Sequence, residues 1–256
     1  MRSDSGSPPR LTIAQVGPVL DVIAAGNEEL ILVGGQAVSH WAEFYAARLP
    51  ALQAEAPFTS GDIDLVGPEV GREAERIKRT LGGSLEKGDS IYERTAILAM
   101  VSYKDRAGDD RVIDFLRSVW KLDLADIERT SLAMRPGLRV MHPVLCLESR
   151  IHNCVDFTDY QTPEGLKQAR VATLCAREFL RDALGAGEIE AVLHLNERIF
   201  TVARDRARGC ARYGLRPFDA VLVDQRLPEK FRSMRYPQMQ RAVAGALEHK
   251  RGGPGL

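Results

Sequence analysis

The run Thr59-Ser60-Gly61-Asp62-Ile63-Asp64-Leu65-Val66 constrains this chain more than any other. Its apolar residues read as a short strand over 62–66. Strand geometry then puts Asp62 and Asp64 on one face, roughly 7 Å apart along the chain. Ile63, Leu65 and Val66 argue that the strand is buried, where unpaired carboxylates are costly. Two acids on one face also repel each other unless a cation sits between them. The competing reading is a solvated sheet edge.

Two other segments bear on that choice. Glu29–Val33 reads as a buried strand broken by Gly34-Gly35, with a helix over Gln36–Arg48. Glycine at a strand–helix junction lets backbone approach a phosphate, and the helix start offers unpaired amides. An ordinary tight turn would use the same glycines. Asp114 lies inside Arg111-Val112-Ile113-Asp114-Phe115-Leu116, on the same strand face as Val112 and Leu116. An acid there needs either an ion-pair partner, Arg111 or Arg117, or a metal. With a third carboxylate the acids suit a two-metal site. Its ions, roughly 3.5–4 Å apart, activate a nucleophile and stabilise a leaving pyrophosphate.

The rest of the first half reads as α/β. Leu11–Ala25 is a helix stopped by Gly26-Asn27, and Pro50–Gly61 is a loop with room for a short helix. Val70–Leu81 is a charged amphipathic helix. Ala96–Tyr103 and Arg111–Leu116 are strands joined by a turn over Lys104–Asp110, and Leu138–Met141 is a last short strand. The order predicts a mixed α/β (α+β) sheet with flanking helices. Beyond His142-Pro143 the pattern becomes helical, over Val144–Phe157, Pro163–Leu184, Ile189–Arg208 and Arg235–Leu247. The expected division is a disordered leader over 1–10, an α/β domain over 11–142, a helical domain over 143–250 and a flexible tail over 251–256.

Composition narrows the function classes. No apolar run approaches the roughly 20 residues of a membrane span, and the Ser/Pro/Gly-rich start lacks a secretory core. Cys146, Cys154, Cys175 and Cys210 form no CxxC pair, so they read as reduced core thiols of a cytoplasmic protein. The five histidines show no metal spacing, and Trp41 and Trp120 read as packing residues. The net charge of zero hides an asymmetry. Residues 1–145 carry 17 basic and 21 acidic side chains, and residues 146–256 carry 18 and 14. An acidic half beside a basic half suits a metal site facing a polyanion, or two halves that attract each other.

Taken jointly, Leu32-Val33-Gly34-Gly35, Asp62-Ile63-Asp64-Leu65 and Ile113-Asp114-Phe115 resemble the DNA polymerase β-like nucleotidyltransferase superfamily. The match spans about residues 28–117, with an insertion such as Phe44–Ala56 between the glycines and the first acid. Ser60-Gly61-Asp62-Ile63-Asp64-Leu65 is similar to the Ser-x-Asp-h-Asp-h run of AbiEii-like toxin nucleotidyltransferases, where h is apolar. The resemblance implies a nucleotidyltransferase-like sheet and a helical C-terminal half that completes the nucleotide pocket. It implies that Asp62 and Asp64 bind Mg²⁺ (or Mn²⁺), and that Asp114 is the third acid, a metal ligand or general base. It also implies that Ser60 contacts the phosphates of an NTP. The implied acceptor is a tRNA or other RNA end, a protein hydroxyl or a small molecule, and the implied partner is a cognate antitoxin. The alternative is a catalytically inactive protein of this fold that binds nucleic acid or a partner. Metal-dependent phosphate hydrolysis is a third reading of the same acids.

In the helical half, Ser149, Arg150 and Asn153 fall within one helical turn, and Arg150 and Asn153 are the candidate nucleotide-binding residues there. Arg150 offers a planar fork to a phosphate, or pairs with Glu148 or Asp156. Lys167 and Arg170 read as surface residues. Arg204, Arg206, Arg208 and Arg212 either track an RNA backbone or complement a helix C-terminus.

Overall fold

Leu30–Val33 is apolar at every position, and none of the four residues is more than 1% exposed. A strand buried on both faces belongs inside a sheet. The computed structural model, which describes residues 10–26, 29–88 and 96–248, puts it there. The strands are β1 (Leu30–Val33), β2 (Ile63–Val66), β3 (Ser84–Lys87), β4 (Ile97–Lys104), β5 (Asp110–Leu116), β6 (Leu132–Arg135) and β7 (Leu138–Val140). They form one mixed sheet in the order β3-β4-β5-β2-β1-β7-β6. β1 runs antiparallel to β2 and parallel to β7, and β2 runs parallel to β5.

Helices α1 (Ile13–Ala24), α2 (Gly34–Ala46) and α4 (Val70–Leu81) cover this sheet; α3 (Pro50–Gln53) and α5 (Leu124–Thr130) are short. α2 packs on β1 and β2, α4 packs on β3 to β5, and α1 touches both helices. The covered face of β5 is Arg111, Ile113 and Phe115, all buried, whereas Val112, Asp114 and Leu116 stay partly exposed. Thr12 starts α1 with a capping box, its hydroxyl accepting from the Gln15 amide while the Gln15 side chain accepts from the Thr12 amide. At the other end of α1, Arg76 donates to the carbonyls of Val22 (2.9 Å) and Ile23 (3.0 Å). Its Nε holds the buried Glu73 at 2.7 Å. One guanidinium thus ties α4 to the end of α1.

The chain divides into two compact units. The first runs to Ala47 and continues over Glu55–His142; the second is Arg48–Ala54 together with everything from Pro143 on. The second unit contains α6 (Pro143–Asp156), α7 (Pro163–Gly185), α8 (Ile189–Asp205), α9 (Ala207–Arg212) and α10 (Tyr236–Glu248). Thr162 caps α7 by accepting from the Gly165 amide, with Pro163 at the first helical position. Segment 48–54, expected in the first domain, packs with the second unit, and Arg48 grips Asp182 of α7 through two bonds of 3.0 and 2.6 Å. Residues 44–56 thus comprise the end of α2 and this α3 segment.

The four cysteines are buried and reduced. Burial pushes the thiols of Cys146 and Cys210 up to about 12 and that of Cys154 to about 11, so they are inert at neutral pH. Some expectations need correcting. β3, α5 and β6 have no periodic signal of their own; β3 and β6 exist because β4 and β7 offer them free edges. The single helix expected over 189–208 ends at Asp205, because Arg206 leaves helical geometry (φ −107°, ψ 8°) before α9 begins. Trp120 is 47% exposed rather than packed, with Lys121 over its ring. Asn27 and the expected leader and tail, except Arg10, lie outside the described residues. Among the described residues, no helix is long and apolar enough to cross a membrane.

Arg76→Met should lower the unfolding free energy of the first unit by about 3 kcal/mol, because Glu73 is left as an unpaired buried charge. Urea denaturation checks this, and the Glu73→Met/Arg76→Met double variant should recover much of the loss.

Candidate metal centre

The pairing of β2 with β5 sets Asp64 beside Asp114 as direct Cα partners, flanked by Ile63 beside Ile113 and Leu65 beside Phe115. The flanking apolar pairs point to the helix-covered face, so alternation turns both acids to the other face. Asp62, just ahead of β2, shares that face. One carboxylate oxygen from each of Asp62, Asp64 and Asp114 lies within 4.8 Å of the others. Asp62 is exposed, and the other two are half-buried.

Asp114 has no ion-pair partner among the described residues, and its buried Oδ1 makes no hydrogen bond. Arg111, one expected partner, lies on the opposite face and is held by Asp105 (2.7 Å) and Asp109 (3.2 Å). Burial, and then the neighbouring Asp62 charge, push the Asp114 carboxyl up to about 6. Three hard oxygen donors that repel one another, with one lone pair unmet, fit a divalent cation such as Mg²⁺ or Mn²⁺.

The glycine turn belongs to the same place. Gly34 has φ +65° and opens α2, and a Cβ there would lie 1.8 Å from Asp64 Oδ2. Only glycine leaves room for the Asp64 carboxylate. The residue at the helix N-cap, Val33, supplies no side-chain acceptor to the first-turn amides, which Gly35 continues. Ser60 is buried, and its hydroxyl donates to Asp62 Oδ1 at 3.3 Å.

Sequence reasoning missed what steadies this loop. Leu11 and Ser60 exchange backbone hydrogen bonds of 2.9 and 3.0 Å. Gln36 Nε2 donates to the Leu11 carbonyl at 3.1 Å, and Arg10 donates to the Thr59 carbonyl at 3.2 Å. Gln36 is 1% exposed, and its Oε1 has no partner. The available signal was a polar residue directly after the glycine pair, on a helix that otherwise begins with small and apolar residues.

The structure thus gathers Asp62, Asp64, Asp114, Gly34, Gly35 and Ser60 in the first unit. Arg150 and Asn153 belong to the second, on α6, and both are buried. Arg150 Nη1 donates to Gln168 Oε1 of α7 at 3.2 Å, and its guanidinium lies 5.4 Å from the centre of the Tyr160 ring. Neither expected acid takes it. Glu148 accepts from Arg198 at 2.6 Å, and Asp156 accepts two bonds from Arg206 at 3.0 and 2.9 Å. Of the basic cluster, Arg204 pairs with Asp205, Arg206 with Asp156, and Arg208 donates to the Ala246 carbonyl.

No protein-family model matches the chain, and no curated protein is similar to it.

Folding raises the Asp114 pKa from its ordinary value near 3.8, so this group stabilises the fold below that value and loses its contribution as pH rises through about 6. Asp114→Asn stays uncharged throughout. In EDTA it should therefore melt roughly 2–6 °C above the wild type at pH 7.5, with the gap closing near pH 4. Thermal unfolding followed by circular dichroism at both pH values checks this.

Proposed function

We propose that the protein is a metal-dependent nucleotidyltransferase that moves NMP from an NTP to an acceptor hydroxyl. The observation that carries this reading is the convergence of Asp62, Asp64 and Asp114 within 4.8 Å beside a glycine-started helix. Asp62 and Asp64 would hold Mg²⁺ or Mn²⁺, with Asp114 as third ligand. When bound, the cation neutralises phosphate charge and acts as a Lewis acid at the α-phosphorus. The first-turn amides of α2, at Gly34 and Gly35, have no side-chain cap and would suit the negative charge that a triphosphate brings. Ser60 orients Asp62 through its hydroxyl. Left unligated, Asp114, whose carboxyl is pushed up by burial and then by the Asp62 charge, would instead take the proton of the attacking hydroxyl. Catalysis is then mainly positioning and charge neutralisation.

The similarity around Ser60 supports a cytoplasmic toxin or phage-defence enzyme with an antitoxin partner, and an RNA end such as that of tRNA is the acceptor we favour. The internal pairing of Arg206 and Arg204 leaves less of the basic cluster for that RNA.

Incubation with α-labelled NTPs, Mg²⁺ and total RNA should label the acceptor, and Asp64→Asn should reduce transfer at least about 100-fold. Transfer unchanged by Asp64→Asn sinks the proposal. Mn²⁺ binding without any transfer points to a binding module, and release of phosphate without a labelled acceptor points to a hydrolase. Gly34→Ala should weaken Mn²⁺ binding, measured by electron paramagnetic resonance, at least about tenfold, because the new methyl displaces Asp64.

A further inference from the structure

The helix-covered side of the sheet, opposite the carboxylates, carries a second feature. There α1 and the β4–β5 hairpin border a cavity of about 560 Å³, within the size range of small-molecule sites. One wall is hydrocarbon, formed by Val16, Val19 and Val22 of α1 with Leu81 of α4. The other is the hairpin, with Tyr103, Lys104, Arg106 and Arg111 against Asp105 and Asp109.

Both of those acids accept from Arg111, and Lys104 pairs with Asp110 at 2.8 Å. Arg106 has no hydrogen bond or ion pair among the described residues. Tyr103 is only 7% exposed, yet its hydroxyl has no hydrogen-bond partner among the described residues. The ring is buried, and the hydroxyl itself opens onto the solvent-accessible cavity. Burial pushes it up to about 12, so it keeps its proton at neutral pH. The groups open to a ligand are thus a phenol able to donate and an exposed guanidinium, beside an apolar wall.

We propose that this cavity binds a small amphipathic anion, its carboxylate or phosphate head held by Tyr103 and Arg106 and its hydrocarbon body lying along α1. A cation would meet a guanidinium, and a neutral alcohol would leave that charge unmatched. The inference stands apart from the transfer chemistry and does not need it.

Isothermal titration calorimetry of the full chain tests it, with sodium octanoate, octyl phosphate, octan-1-ol and octylammonium chloride as probes. Octanoate or octyl phosphate should bind one to one, with a dissociation constant at or below about 1 mM. The tighter of the two identifies the head group. Octanol should bind at least about tenfold more weakly, and octylammonium should not bind. Val19→Trp, at a half-exposed position, should fill the cavity and abolish binding. Tyr103→Phe should weaken it about fivefold, the worth of one hydrogen bond. Arg106→Glu sits on an exposed turn and should weaken it at least about tenfold, which keeps the test open should Val19→Trp not fold. The proposal is overturned if neither anion binds, if octanol binds as tightly as octanoate, or if Arg106→Glu leaves binding unchanged.

Discussion

The register between β2 and β5 is the constraint on which the site depends. Parallel pairing makes Asp64 and Asp114 immediate neighbours, and strand alternation adds Asp62 to the same face. Nothing in the backbone lets these acids move apart without giving up ladder hydrogen bonds or burying a charge among Ile63, Leu65, Ile113 and Phe115. Burial, and then the neighbouring Asp62 charge, drive the Asp114 carboxyl up to about 6. The sheet holds the acids together while burial makes the charge of Asp114 unfavourable.

The surrounding loop is built to resist that repulsion. Leu11 pairs with Ser60 like a short strand, Gln36 holds Leu11, and Ser60 bonds Asp62. Elsewhere charges are matched within the fold. Arg76 holds the buried Glu73, Arg111 holds Asp105 and Asp109, and Arg206 holds Asp156. Against that background a half-buried acid with an orphaned oxygen stands out. The same matching narrows the meaning of the positive second half, since much of its basic excess sits in bonds with neighbouring acids and carbonyls.

Elements with strong local signals were legible. The amphipathic pattern of Val70–Leu81 marked α4, and the helical pattern from Pro163 to Leu184 marked α7. β3 was not legible, because Ser-Leu-Glu-Lys has little strand propensity and forms only by pairing with the edge of β4. In the site, the acids were legible because their neighbours are apolar. Gln36 was not, because a single glutamine on a helix looks the same whether it faces water or a buried carbonyl. Arg150, a candidate anion ligand by its spacing, has Gln168 of α7 and the Tyr160 ring as neighbours, a setting that only the packing of α6 on α7 supplies.

By itself the sequence determined the class of fold, the change of character near Pro143 and the identity of the three acids. These follow from periodicity and from the cost of placing charge between apolar neighbours, both local properties. Only the tertiary structure decided that Asp114 lies beside Asp64 rather than against Arg111, that Gly34 makes room for a carboxylate, and that Arg48–Ala54 belongs with the helices. Those outcomes depend on strand order and register across a long stretch of chain, set by the joint burial of many side chains and written in no single segment.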